Sequence, residues 1–407
     1  MKDSLKINLF KIYLFKFFIG FHLFGGVLIP FFTEWGRISF TQIMILQSWY
    51  MFWIFVFEIP TGTIADYLGR KKSLILGCFS LLLGVTFYVI TPNFCLFLLG
   101  EFFWALSTAL TSGADSALVY DTLKKHGREE DSKKIQGRVD SIFLAAIAVS
   151  SPLGSIIAAC SNVRTPTALM LIPFAIATII GFTLEEPEYN EKTKKRKFSN
   201  LIQTSFSILS NNRILKILAL DLIFINTAGY FMIWLHQPML QQAGINIVYW
   251  GFSQVAFIMS QILVMSNFEG FEKLFGSKRN LLFYGSLIGG CAYIIGSLNN
   301  SIPVTLLSVY LVGAFLMTRK TLLTNYMNKY IPSSERATVI STVSMINSFF
   351  VAVINPFFGY FTEKNLKITL LVIGISTVAF AFVSKVEESH LIETSSVEEV
   401  DLVNNIK

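Results

Sequence analysis

Read for polarity alone, the chain alternates long apolar runs with short polar breaks. A helix needs roughly 20 apolar residues to cross a bilayer core. Twelve runs meet that need: 9–33, 42–66, 73–92, 94–121, 137–161 and 165–184, then 213–239, 247–268, 280–298, 303–328, 338–361 and 366–385. The pattern predicts an all-α integral membrane protein of twelve transmembrane helices. Lys2, Lys6 and Lys11 precede the first run as they would precede a signal peptide. Its apolar stretch is too long for one and no small-residue cleavage site follows, so it is expected to stay as a helix. The longest polar break, EEPEYNEKTKKRKFSN over 185–200, parts the sixth run from the seventh. The expected division is a six-helix bundle over 1–184, a linker over 185–212 ending in a short interfacial helix, a second bundle over 213–385, and an acidic, disordered tail over 386–407.

Composition supports a lipid-embedded chain. Hydrophobic residues make up 53% and charged residues 14%, where soluble domains carry about 25% charged residues. The net charge of +7 suggests a nucleic-acid partner only until the charges are placed. With the N-terminus in the cytoplasm, the outward loops hold Arg37, Arg164, Lys364 and Lys367, 4 of the 33 basic residues, leaving 29 for the inner side. That asymmetry predicts a multi-pass protein of the cytoplasmic membrane with both termini inside. The surplus then serves as orientation anchors and as contacts for anionic lipids, with no nucleic acid involved. The four cysteines show no C-x-x-C spacing, which removes a metal site and a disulfide framework. No Walker A sequence, nucleophile elbow or HExxH spacing occurs, so ATP-driven transport, enzymatic hydrolysis and a bound cofactor have no support.

The two halves echo each other. The 2–3 loop, GTIADYLGRKKSLILG from Gly62, is answered by GFEKLFGSKRNLLFYG from Gly270 in the 8–9 loop, with Glu272 one place out of register and Ser277 where the first carries Arg70. Ser151-Pro152-Leu153-Gly154 in run five is answered by Asn355-Pro356-Phe357-Phe358-Gly359 in run eleven. Two related six-helix bundles suit a secondary transporter, which binds its substrate between them.

The segment Gly62-x-x-x-Asp66-x-x-Gly69-Arg70-Lys71-Lys72 carries a resemblance to the major facilitator superfamily, whose 2–3 loop signature it fits in full. Glu58-Ile59-Pro60 through Lys71 is similar to the corresponding loop of a clostridial tetracycline efflux pump, and Ser112 to Asp121 resembles a group of drug-efflux-like prokaryotic members. Two departures stand out. Glu101 occupies about the place of the fourth-span arginine of proton-coupled members, and the fifth-span antiporter signature survives only as Ser151-Pro152-x-Gly154. The resemblance implies a monomer and a latch that holds the outward-open state. In it Gly62 and Gly69 permit close approach and a turn, Asp66 meets the start of run eleven near Arg336, and Arg70 pairs with Asp121.

Ionisable groups within spans are costly and point to function. Glu58, Glu101, Asp221 and His22 are the candidates for proton coupling. For His22 and the acids the plain alternative is a packed or hydrogen-bonded structural contact. Asp115 and Asp121 suit a latch or a wet cavity. Asp221 is expected to face Glu58 or Arg319 across the central cavity, with Arg319 either a counter-charge or, like Lys320, snorkelling to the inner interface. Asn226, Gln254, Gln261, Asn347, Trp53 and Tyr230 are candidate cavity residues, with Trp49, Tyr50, Trp104 and Trp234 as further aromatic ones. The expected function is proton-coupled efflux of amphipathic or drug-like compounds by alternating access. The alternative is uptake of a polar or anionic nutrient held by Arg319 and His22, and a non-transporting receptor using the acidic tail is a third reading.

Overall fold

The computed structural model describes residues 2–186, 207–332 and 335–391, with 2–3, 58–68 and 337 described in backbone alone. It holds twelve helices long and apolar enough to cross a membrane. Spans one to six are Ser4–Gly26, Phe40–Phe57, Arg70–Ile90, Phe94–Lys124, Glu129–Cys160 and Arg164–Thr183. Spans seven to twelve are Arg213–Gln242, Ile247–Ser266, Lys278–Leu298, Ile302–Met327, Thr338–Lys364 and Leu366–Val383. Span five begins at Glu129 instead of 137, because its polar first turns, with Lys133, Lys134 and Arg138, continue the helix past the apolar run. Of the expected interfacial helix, 207–211 is helical, and 201–206 lies outside the described residues. The linker from 187 and the tail from 392 also lie outside them.

Local chemistry sets the helix ends. Asn93, Asn212, Ser277 and Asn365 each cap a span by accepting hydrogen bonds from the free amides of its first turn. Leu220, Ile179 and Phe382 remain 63–69% exposed on the outer surface. Such faces are stable only with hydrocarbon around them.

Four of the described spans are interrupted, span six only by a single turn at Met170. In span one the α-helix ends at Ile19 and resumes as a tighter turn over Leu23–Gly26. Span four breaks at Ser112 and Gly113, whose φ of 76° suits glycine. Span ten carries a π turn over Gly313–Met317. Spans four and ten hold the same place in their bundles, and the breaks fall at corresponding points along them.

An even number of spans puts both ends of the described chain on one face, here the terminal face; the other is the distal face. The bundles are pseudo-symmetric and meet through spans two and eleven and spans five and eight. The described hydrogen bonds between them gather toward the distal face. Gln237 reaches from span seven to the Ile29 amide (2.9 Å) and the Gly25 carbonyl (2.8 Å), and the Gly251 amide donates to Ser155 Oγ (2.8 Å). The Thr41 amide donates to Glu363 (3.1 Å), and Ser48 to the Ala352 carbonyl (2.6 Å). Glycines allow this approach. A Cβ on Gly251 would strike the Ser151 carbonyl, and one on Gly359 would fall 2.8 Å from the Met44 side chain.

Candidate functional site

A cavity of about 190 Å³ lies inside the first bundle and is faced by span seven of the second. Its wall is mostly rings: Phe24, Phe32, Tyr50, Tyr88, Trp104 and, from span seven, Trp234. Its polar groups come from Gln47 on span two and Glu101 on span four. Glu101 is 4% exposed, accepts a hydrogen bond from Gln47 Nε2 at 2.9 Å, and is bonded by the Tyr88 hydroxyl. No Lys, Arg or His lines the cavity among the described residues. A carboxyl whose partners are neutral can exist with or without its proton; one gripped by a guanidinium is committed to the charged form.

Across from it the second bundle presents buried polar atoms without ordinary hydrogen bonds: Tyr230 Oη, Trp234 Nε1 and both amide atoms of Asn355. Tyr230 lies within reach of Asn355 and Trp234. Buried groups left so cost stability unless something else satisfies them. A larger hollow of about 750 Å³ opens at the distal face between helix-end residues such as Glu34, Arg164 and Gln241. It is a surface recess, and no buried carboxyl lines it.

The other expected residues distribute as follows. Asp221 does not look across the cavity. Its Oδ1 accepts from Arg319 Nε at 2.7 Å, its Oδ2 accepts from Ser384 at 2.7 Å, and Arg319 Nη1 donates to the Leu282 carbonyl at 2.5 Å. The pair therefore sits wholly inside the second bundle, with side chains 1% and 4% exposed. Of its two expected partners the structure gives Asp221 the second, Arg319, but inside the second bundle instead of across the central cavity, because the break before Arg319 turns its side chain toward spans seven, nine and twelve. His22 packs among Phe24, Trp104, Phe143 and Phe174 and is bonded to the Ile19 backbone, which fits its packing alternative. Trp53 packs with Trp49, Phe57 and Phe102 beside the cavity wall, and its indole N–H is unpaired. Gln261 bonds its own helix at Phe257 (3.2 Å), and Asn347 Oδ1 is buried and unpaired. Asn226 and Gln254 are half-buried and Lys320 is exposed. The Glu58, Gly62 and Asp66 side chains lie outside the described residues. Arg70 Nε donates to Asp121 Oδ2 at 2.7 Å, joining the ends of spans three and four. Arg336 opens the helix of span eleven.

Sequence reading missed two features. Lys16 of span one pairs with Asp115 of span four just past the break at Gly113. A repeated acidic motif follows each bundle, Leu184-Glu185-Glu186 and Val386-Glu387-Glu388. Glu388 takes the free amides of Lys278 (3.2 Å) and Arg279 (2.6 Å) at the start of span nine. Glu186 lies against Gly69 at the start of span three, where a Cβ would collide with its carboxylate. Both loop glycines hold left-handed conformations, Gly69 at φ 94° and Gly276 at 84°. Aligning the ends of the sixth and twelfth runs would have found the motif.

With that geometry in place, comparison with known proteins is informative. A family model described as Major Facilitator Superfamily matches residues 12–354. Among curated proteins no sequence match was found. Among solved structures, the nucleoside transporter NupG superposes with a TM-score of 0.76 at 15% identity, covering 94% of this chain and 100% of its own. A POT family transporter in complex with 5-aminolevulinic acid gives 0.71 at 14%, covering 95% and 96%, and a D-xylose–proton symporter 0.69 at 13%, covering 94% and 98%. At such identities the likeness is one of fold.

Proposed function

The chain belongs to the major facilitator superfamily, and from that premise we propose that it expels amphipathic, ring-bearing compounds, neutral or cationic, in exchange for protons. Glu101 carries the reading. It is a buried carboxyl with neutral partners in the wall of an aromatic cavity. Its carboxylate and the surrounding ring faces attract an organic cation, and a proton competes for the same place. A wall without a basic side chain disfavours anionic substrates. Glu58 is the second proton candidate, and Asp221 and His22 rank below because of their partners. The closed distal contacts support a state sealed toward the outside. Gly62, Asp66, Gly69, Arg70, Asp121 and Arg336 would form the latch that reseals the terminal face when the distal one opens.

In this reading the protein works as a monomer in the cytoplasmic membrane with both termini inside. The bundles over 1–184 and 213–385 rock against each other about the 185–212 linker, and the tail over 386–407 lies in the cytoplasm.

The test is transport in vesicles under an imposed pH gradient. Glu101→Gln is expected to abolish gradient-driven movement while substrate–substrate exchange continues, because only the proton site is lost. Normal uphill transport by Glu101→Gln would reject the assignment. The loosely held polar groups of Tyr230, Trp234 and Asn355 favour a second reading, uptake of a neutral polar solute. The direction of substrate movement under the same gradient separates the two.

A further inference from the structure

At the terminal end of the second bundle lies a hollow of about 380 Å³. It forms where the first turns of spans seven and nine meet the segment that follows span twelve. Arg213, Arg279, Lys385 and His390 line it together with one acid, Glu387, and Ile214 and Val386 are among its apolar lining. None of Arg213, Arg279 and Lys385 has a carboxylate within ion-pair distance among the described residues. The basic side chains outnumber the acid, and the next acid along the chain is engaged. Glu388 is bound to the amides of Lys278 and Arg279, and Glu387 is exposed and accepts a hydrogen bond from Ser389. His390 accepts the Glu387 amide at Nδ1 (3.1 Å), which leaves Nε2 as its donor. Both helix starts are already capped, by Asn212 and Glu388, so the site rests on its side-chain cations.

The corresponding place in the first bundle is filled differently. There Lys11 donates to the Thr183 carbonyl (2.8 Å), Asn8 accepts the Glu185 amide (3.0 Å), and Ser4 donates to Glu185 (3.3 Å). Chain atoms satisfy that corner, whereas in the second bundle three cations converge on open space. Like charges gathered in a concave site repel one another until an anion enters. The guanidinium forks of two arginines suit phosphate oxygens.

We propose that this hollow binds a phosphate group, that of an anionic phospholipid headgroup. The lipid source is favoured by place. The hollow opens where spans seven, nine and twelve end at the terminal face, and Arg279 on its rim lies in the first turn of the helix that carries Phe283. Phe283 packs on Phe382 with ring centroids 5.3 Å apart, and Phe382 is 69% exposed on the lipid face. The phosphate occupies the cationic hollow and the acyl chains stay in the bilayer beside the exposed Phe382.

Thermal unfolding of the purified full chain in neutral detergent tests this, with phosphatidylglycerol, phosphatidylcholine or inorganic phosphate added. Phosphatidylglycerol is expected to raise the unfolding temperature at concentrations about tenfold below those phosphatidylcholine needs, because a ligand of the folded state stabilises by mass action. Arg213→Gln/Arg279→Gln/Lys385→Gln should lose that preference. Lys133→Gln/Lys134→Gln/Arg138→Gln, which removes equal charge from the first turns of span five, should keep it. If the first triple variant does not fold, Arg213→Gln and Lys385→Gln singly should each raise the half-saturating concentration about threefold. A triple variant that responds like the parent overturns the site. Inorganic phosphate reproducing the shift overturns the lipid source. A phosphatidylglycerol response that appears only when the chain is ended at Leu391 gives the hollow to the chain's own acidic tail, and also overturns the proposal.

Discussion

Lys16–Asp115 and Asp221–Arg319 occupy corresponding places in the two bundles with their charges exchanged. Each ties the first span of its bundle to the fourth, next to the break in that fourth span. The environments differ, since the first pair is 14% and 19% exposed and the second 4% and 1%. Removing one partner of a buried pair leaves an unpaid charge and costs about 3–5 kcal/mol. Asp221→Asn is therefore expected to lower the thermal unfolding midpoint more than Asp115→Asn does, and Asp221→Asn/Arg319→Met to recover part of the loss; equal shifts for the single variants would contradict this. Sequence reading singled out Asp221 and Arg319 because charge inside a span is conspicuous. It could not show their shared carbonyl and serine partners, which come from spans nine and twelve. Lys16 went unnoticed beside Lys2, Lys6 and Lys11, where one more lysine looks like another anchor.

At the level of elements, the distal closure joins side-chain hydrogen bonds to close backbone approach at glycines. Gly154 receives the Leu23 carbonyl of span one, and Gly251 lies on Ser151 and Pro152 of span five. The eroded antiporter signature thus marks the point where span five meets spans one and eight. Its echo in span eleven ends at Gly359, which meets span two. Gly251→Val is expected to prop the distal face open. With Leu28→Cys as reporter in a chain lacking Cys78, Cys95, Cys160 and Cys291, alkylation from the distal side should quicken about tenfold, the response to a shift of about 1.4 kcal/mol. An unchanged rate would place the closure elsewhere. The glycine and proline echoes were legible because they are residue types. The π turn of span ten was not, since hydropathy records polarity and is blind to a single added residue in a helical turn.

For the whole molecule, twelve crossings followed directly from twelve apolar runs, because lipid leaves the chain no other way to satisfy its backbone. The cavity was only partly legible. Glu101, Tyr50, Trp104 and Trp234 were in view, but Gln47, Tyr88 and Phe32 are ordinary residues until folding brings spans two, three and one together around them. Orientation rests on charge. A reporter that fluoresces only in the cytoplasm is expected to be bright after Lys407, and a phosphatase active only outside should work when inserted at Arg37; the reverse pattern would invert the topology. The two charge-exchanged pairs have one more consequence. Each is neutral as a unit, so among the described carboxylates buried in the spans Glu101 alone stands without a basic partner. Under the proposed exchange the membrane potential, worth about 2.3 kcal/mol per charge per 100 mV, acts through Glu101 on the limb that carries a neutral substrate, where the carboxylate travels bare, and on neither limb when a monovalent cation or the proton rides with it. A neutral substrate would then give a transport current that takes its voltage dependence from a single step, and a monovalent cation would give none.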